Sequence, residues 1–547
     1  VSDERVGNMK GHEAVARALL DHGMSLMFGV LGGANIFIVD SYVRTLNGRY
    51  VATSNEAGAI AAALAYAACS GTVGLASVTH GPGLTNTITG LIEGVKARIP
   101  VVLLAGDTAP AGRGSSQDIS QRELVVATGA GFEDVTTADT MLGDLARAVR
   151  RAELERRPIV LNVPTQHQWA DVEYRKMLIH RPETRGLVAE GEDIERAIGI
   201  IAAARKPIIV AGRGAISPGA RAALVQLAER TGALLSTTLQ ARDLFDGERF
   251  NLGIFGTLST AVAADEIVAC DCIIAMGAGL NNFTTSKGGL VTGKRVIHCD
   301  TDLSAIGRHV AVDAGLVGDV ELVANKIIEL LDMAELPPSG YRDPRLEEAL
   351  RTHTPGFSGT ATENGLPLHG TIQRVAEAVG HDRATVTDGG RCVVESFKVL
   401  RISDPQLWYY NLRFGSIGLG LASAIGASFA ARDKPTLLVT GDGGFMNGGL
   451  AEFSTAVRNG IDLVILLCND GGYGMEEIEF RARDMPHDIT CFEWPEFAAV
   501  AESLGGQGVS VRTEADLEQA IAAISNRTRP LLIDFKLDMR RLPGEVG

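Results

Sequence analysis

Several features that would assign this chain of 547 residues to a familiar class are missing from it. No run of lysine and arginine occurs, and 51 basic residues stand against 66 acidic ones for a net charge of −15. Nucleic acid and anionic membrane surfaces are therefore poor partners. The seven cysteines (Cys69, Cys270, Cys272, Cys299, Cys392, Cys468 and Cys491) never form a CxxC pair. An odd number of thiols in mostly apolar contexts predicts reduced, buried cysteines in a cytoplasmic protein. No apolar run is long enough to span a bilayer and no charged-then-apolar leader is visible, so no membrane association is expected. A short internal repeat is also absent. So is a true GxGxxG: MGAGLNN lacks the third glycine, which argues against a nicotinamide dehydrogenase.

What remains has the composition of a soluble α/β protein, 46% hydrophobic and 21% charged with 64 glycines. A chain of this length predicts about three domains. From Met9 to about Asp171, helical patterns alternate with the short apolar strands LMFGV, GLASVTH, PVVLLAG and PIVLNVP, a parallel βα series. A charged, proline-containing link follows, from about Glu173 to Glu192. The second series is PIIVAGRG, ALLSTT, CIIAMGAG and KRVIHCD, closing with GLVGDV and a helix to Met333. A turn-rich stretch beginning at Glu335 reads as a linker. The third series, from Leu366, carries ATVTDG, TLLVTGD, LVILLCN and PLLIDF. The expected domains are 1–172, 190–335 and 364–547, the first and third alike in architecture.

The densest signal is GDGGFMNGGLAEFSTAVRNGIDLVILLCNDGGYGM, Gly441 to Met475. Asp442 lies where one apolar strand ends and Asn469-Asp470 where the next ends, with bare glycine backbone around both. Open α/β sheets bind ligands at the carboxyl ends of their strands. Two adjacent strand ends that each offer an oxygen ligand suit a hard divalent cation bridging to phosphate. Taken alone, a glycine-rich loop after such a strand is equally common without a ligand.

This segment resembles the thiamine-diphosphate motif, GDG followed about two dozen residues later by NN. The rest of the chain resembles the acetolactate synthase branch of that family. The resemblance runs through FGVLGG, Glu56 in NEAGA, GPGLTN and GSSQD in the first unit. It continues through LGIFGT, HCDTDLSAIGR and GDV in the second, and TDGGR and FGSIGLGLASAIGA in the third. It implies three doubly wound parallel-sheet domains of the α/β class: pyrimidine-binding, central and diphosphate-binding. It also implies thiamine diphosphate and Mg²⁺ as cofactors. Glu56 would hydrogen-bond the aminopyrimidine and generate its imino base, its alternative being an acid that merely favours a helix N-terminus. Ile417 would wedge beneath the bent cofactor, and the Gly415 carbonyl would receive the pyrimidine. Gly390, Arg391, Gly443, Gly444, Gly474 and Met475 would surround the diphosphate. Arg391 stands where glutamine is usual, either pairing with the diphosphate or lying at the surface.

The metal ligands implied are Asp442, Asp470 and the Gly472 carbonyl. Aligning Glu452 and Gly474-Met475 with the family leaves one extra residue between Phe445 and Leu450, and Asn469 is the ligand if the register slips by one. Because Glu56 and the metal motif fall in different domains, the family's subunit-bridging cofactor implies a homodimer or homotetramer.

On the substrate side, His80 in THGPG replaces a small residue and could move protons near neutral pH, or be a buried structural histidine. Gln117 matches a glutamine that bonds substrate oxygen. Glu476 stands where enzymes of the pyruvate decarboxylase type carry a catalytic glutamate, or is one exposed acid among three; the chain also resembles the pyruvate and benzoylformate decarboxylases more broadly. Asn35 in LGGAN offers one polar contact, and Arg413 is the remaining cation near the pocket. The cations by which acetolactate synthases receive a second 2-keto acid are missing: a family lysine reads Ala130, and R-F-D-D-R reads Gly279-Leu280-Asn281-Asn282-Phe283. Loss of the first arginine also weakens the case for FAD.

The reading is therefore a C–C bond lyase or carboligase acting on a 2-keto acid, α-hydroxyketone or diketone, with aldehyde or ketone acceptors. The alternatives are acetolactate synthase itself, a flavin-linked oxidase of the pyruvate-oxidase type, and a degenerate cofactor-binding regulatory protein.

Overall fold

The computed structural model describes residues 5–177, 186–352 and 366–537. Among the described residues, twenty strands build one antiparallel ribbon and three six-stranded sheets, and every pairing inside the three sheets is parallel. In the ribbon, β1 (Arg5–Lys10) pairs with β8 (Asp171–Arg175), so the start of the expected first link is a strand.

The N-terminal sheet comprises β2 (Leu26–Gly29), β3 (Arg49–Ala52), β4 (Gly74–Val78), β5 (Val101–Asp107), β6 (Gly131–Asp134) and β7 (Pro158–Pro164), in the order β3-β2-β4-β5-β7-β6. The central sheet comprises β9 (Pro207–Ala211), β10 (Leu234–Thr237), β11 (Asn251–Ile254), β12 (Cys272–Met276), β13 (Arg295–Asp300) and β14 (Ala314–Val317), in the order β11-β10-β9-β12-β13-β14. The C-terminal sheet comprises β15 (Ala384–Thr387), β16 (Trp408–Tyr410), β17 (Thr436–Gly441), β18 (Leu463–Asn469), β19 (Gln507–Val511) and β20 (Leu531–Lys536), in the order β16-β15-β17-β18-β20-β19.

The outer two sheets thus share one topology, as their sequence patterns suggest, and the central one follows the other common doubly wound order. Parallel strands are covered by helices on both faces, which is why β5, β7 and β18 are mostly apolar and buried along their whole length.

The chain forms two compact units. One contains residues 186–352 and 401–406 with the central sheet; here the stretch expected as a linker carries a helix, Pro344–Thr352. The other contains residues 5–177, 366–400 and 407–537, and holds both outer sheets around one hydrophobic cluster. Two helices without a polar face form the centre of that cluster: α1 (Glu56–Ser70), and Gly420–Ala431 of the C-terminal layer. Their sequences, EAGAIAAALAYAACS and GLASAIGASFAA, are stripped to small residues so that the backbones can touch. A Cβ at Gly426 would collide with the Ala62 carbonyl oxygen. The start of α1 is set by Asn55, whose side chain caps it just ahead of Glu56.

Candidate functional site

Adjacent strands β17 and β18 run in register to Gly441 opposite Cys468, so the residues after them, Asp442 and Asp470, emerge side by side. Both are buried, at 1% and 7% exposure. One oxygen of Asp442 accepts the N–H of Gly471 (2.9 Å), the N–H of Gly472 (3.0 Å) and the indole N–H of Trp494 (2.7 Å). Burial, followed by the facing Asp470 carboxylate, pushes Asp442 up to about 7. Asp470 is also raised by burial, while Arg391 pulls it back.

A Cβ on Gly443 would stand 3.7 Å from the Gly472 carbonyl oxygen, so that oxygen closes the same corner. Two buried carboxylates repelling each other beside a backbone carbonyl form a donor set that a hard divalent cation would complete. Asn469 is tied away at its amide nitrogen, which donates to Asp534 at 2.8 Å, while its oxygen shares with Asp442 the Gly471 N–H, at 3.3 Å.

The additional residue expected between Phe445 and Leu450 falls in a widened π-helical turn, Phe445–Gly449, ahead of the helix Leu450–Arg458. Such turns interrupt α-helices mostly at functional sites. Glycine is required at Gly474, where a Cβ would meet Asp470 and the Arg391 guanidinium.

Arg391 is not at the surface. Its guanidinium is 4% exposed and bridges Asp470 (3.0 Å) and Glu477 (3.1 Å), and Glu477 also pairs with Arg481. The buried acid of the helix Gly474–Arg481 is therefore Glu477; Glu476 is exposed and, among the described residues, makes no hydrogen bond or ion pair. Met475 is half-buried on the same turn.

Gly390 (φ +120°) and Gly415 (φ +84°) use backbone angles open mainly to glycine, and neither has any atom where a Cβ would be. Ile417 is half-buried and its γ-carbon would lie 3.1 Å from a Cβ on Gly389. Asp388, at the end of β15, receives the Gly418 N–H at 3.0 Å and so fixes the loop behind Ile417. Burial pushes Asp388 up to about 6.

In the N-terminal layer, Glu56 is the first residue of α1, half-buried, with Asn55 capping the helix. Asn86 of the GPGLTN turn donates to one Glu56 oxygen at 2.9 Å. Just upstream, the N–H groups of Ser54 and Asn55 bond to the buried carboxylate of Glu452 at 3.0–3.2 Å. His80 is half-buried and precedes Gly81, whose φ of +59° and N–H bond to Gln121 (2.9 Å) set the turn. A Cβ on Gly81 would strike the Gln117 carbonyl, so the turn and the Gln117 loop touch, with the Gln117 side chain exposed. Among the described residues no hydrogen bond or ion pair joins the Glu56–His80 group to the Asp442–Asp470 group.

Two expectations need correction. Asn35 offers no free polar contact: it is wholly buried, accepting from Gly32 (2.8 Å) and donating to Val30 and Ser77 (both 3.0 Å) to hold its own loop. Arg391 is an interior ion-pair residue, because Asp470 and Glu477 together compensate its charge. Arg413 packs its guanidinium on the Tyr410 ring, 3.9 Å from the centroid. Ala130 is buried, so the position of the family lysine holds no cation. Glu93, Asp388, Glu452, Glu477 and Trp494 escaped sequence reading as site residues; a helix acid looks solvated until its packing partner is known.

Comparison with known proteins agrees in order and extent. Three family models match in succession: "Thiamine pyrophosphate enzyme, N-terminal TPP binding domain" over residues 9–127, the central domain over 194–327, and the "C-terminal TPP binding domain" over 388–535. Similar proteins include an acetolactate synthase of Mycobacterium bovis, 29% identical over 96% of this chain and 88% of its own length. One from Mycobacterium leprae is 28% identical over 97% and 88%. The acetolactate synthase large subunit of Corynebacterium glutamicum is 26% identical over 96% and 86%. No helix among the described residues is long and apolar enough to cross a membrane. With three matched domains in family order, this chain belongs to the thiamine pyrophosphate enzymes, on their acetolactate synthase-like branch, and is a thiamine-diphosphate-dependent enzyme of decarboxylation and carboligation.

Proposed function

We propose that the protein is a thiamine-diphosphate- and Mg²⁺-dependent C–C bond lyase or carboligase whose donor is a 2-keto acid, an α-hydroxyketone or a diketone. The observation that carries the proposal is the facing, buried pair Asp442 and Asp470 at two neighbouring strand ends. Asp442, Asp470 and the Gly472 carbonyl hold Mg²⁺, while Gly390, Gly443, Gly444, Gly474 and Met475 supply backbone around the diphosphate. Arg391 serves from inside, by orienting Asp470. When bound, thiamine diphosphate supplies a carbon nucleophile and an electron sink for cleavage next to a carbonyl.

The chain's own part is to position and to move protons. Glu56 holds a proton toward the aminopyrimidine while Asn86 fixes its other oxygen. Ile417 and the Gly415 carbonyl would hold the thiamine half of the cofactor. Gln117 hydrogen-bonds substrate oxygen, and His80 and Glu476 exchange protons with it. The active unit is a homodimer or homotetramer, with Glu56 and the metal site of one cleft coming from different subunits. The domains divide at 1–172, 190–335 and 364–547.

The absence of a cation at Ala130 supports a substrate without a second carboxylate to receive. The test is product analysis by mass spectrometry across a panel of 2-keto acids, with and without aldehyde acceptors, following CO₂. The names of the relatives favour a second reading, acetolactate synthase. Acetolactate as the dominant product from pyruvate would establish that reading and overturn the first.

A further inference from the structure

The segment between Asn411 and Gly418 is an arc tied at both ends. The Asn411 N–H bonds to Thr387 (3.2 Å) and the Gly418 N–H to Asp388 (3.0 Å). Between these ties the backbone is gripped from the N-terminal layer. Glu93, on the helix Ile88–Ala97 and 1% exposed, accepts the Arg413 N–H through one oxygen (3.2 Å) and the Phe414 N–H through the other (2.7 Å). One turn further along that helix, the Lys96 ammonium lies 5.9 Å from the Phe414 ring centroid.

No lysine or arginine forms an ion pair with Glu93 among the described residues. Burial raises the Glu93 pKa, and the two N–H bonds with the nearby charges of Arg413 and Lys96 offset this only in part, so the buried carboxylate still opposes stability. What Glu93 offers, and an apolar side chain cannot, is two acceptors at the spacing of two consecutive N–H groups. Those two groups immediately precede Gly415 and Ile417. Glu452 makes the reciprocal grip, holding Ser54 and Asn55 immediately ahead of Glu56.

We propose that Glu93 is a positioning residue for the thiamine half of the cofactor: it holds Arg413 and Phe414 so that the Gly415 carbonyl and the Ile417 side chain face the cleft. This rests on the function proposed above for Gly415 and Ile417. The charge of Glu93 acts only through the backbone it holds, so the diphosphate half of the site should not depend on it.

The test uses the full-length chain with Glu93→Gln, whose amide can accept from only one of the two N–H groups. Hydrogen–deuterium exchange without cofactor should show the Arg413 and Phe414 amides exchanging about tenfold faster or more, as expected for loss of a hydrogen bond to a charged group. Calorimetric titration with Mg²⁺ and thiamine diphosphate should show affinity reduced by about tenfold, whereas Mg²⁺ with inorganic pyrophosphate should bind as in the wild type. Glu93→Asp, which keeps the charge but withdraws it by one methylene, should give the same pattern and replaces Glu93→Gln if that variant does not fold. Unchanged exchange, unchanged thiamine diphosphate affinity, or equal weakening of both ligands would each overturn the proposal. If the wild-type chain itself failed to bind thiamine diphosphate, the function proposed above would fall, and the exchange comparison would still decide whether Glu93 holds the arc.

Discussion

Truncating Asp470 and truncating Asn469 should damage the protein in different ways, although the residues are neighbours. Asp470 faces Asp442, whereas Asn469 faces Asp534 on the other side of β18. Asp470→Ala would remove a charged ligand of the proposed metal site, a loss of about 3 kcal/mol or roughly a hundredfold in Mg²⁺ affinity. At a Mg²⁺ concentration a hundredfold above the wild-type Kd, bound metal stabilises the fold by about 2.7 kcal/mol; a hundredfold weaker site retains about 0.4 kcal/mol. Asn469→Ala instead deletes the 2.8 Å bond to Asp534, which lowers stability by about 1–3 kcal/mol with or without metal. Urea unfolding at saturating thiamine diphosphate, with Mg²⁺ varied, separates the two because it reads the metal-dependent increment and the baseline independently. If Asn469→Ala abolished the increment and Asp470→Ala preserved it, the register through the Phe445–Gly449 turn would be wrong by one residue.

His80→Ala and Glu476→Gln should each slow turnover by about 10²–10⁴-fold with little change in cofactor affinity, measured by steady-state kinetics and titration; near-wild-type rates in both would make the side chains structural. Asp388 holds its proton more tightly folded than unfolded, about 6 against an ordinary 3.8. Its contribution to stability is therefore present at low pH and is lost as pH rises through that window, by about 3 kcal/mol. The difference between wild type and Asp388→Asn in metal-free urea unfolding at pH 4 to 7 should show that slope, and parallel curves would refute it. Gly426→Val should lower stability by at least about 1–3 kcal/mol, because its Cβ has only the Ala62 carbonyl to move into; an unchanged melting temperature would contradict the close helix contact.

The parts of this molecule that were legible in the sequence are those set by local pattern. Central strands such as LVILLC announce themselves because parallel sheets bury both faces. The edge strands Arg49–Ala52, Gly131–Asp134 and Gln507–Val511 did not, because they are short and carry polar or half-exposed residues. The corner where Asp442 and Asp470 meet was legible because residues at adjacent strand ends follow from topology. Glu93, Glu452 and Glu477 were not, since each sits in a helix whose acids look solvated until another layer packs against them. Arg391 illustrates the same limit. A lone arginine after two glycines gives no hint that Asp470 and Glu477, 79 and 86 residues away, enclose it.

The account stands most directly on the role proposed for Glu56, which would join the N-terminal layer to the cofactor's chemistry. The deciding measurement is the rate at which the C2 proton of bound thiamine diphosphate exchanges with deuterium, followed by quenched-flow NMR in wild type and Glu56→Gln. The account predicts rapid exchange in the wild type, and cofactor that remains bound but exchanges far more slowly in the variant. Equal exchange rates in the two proteins would contradict it.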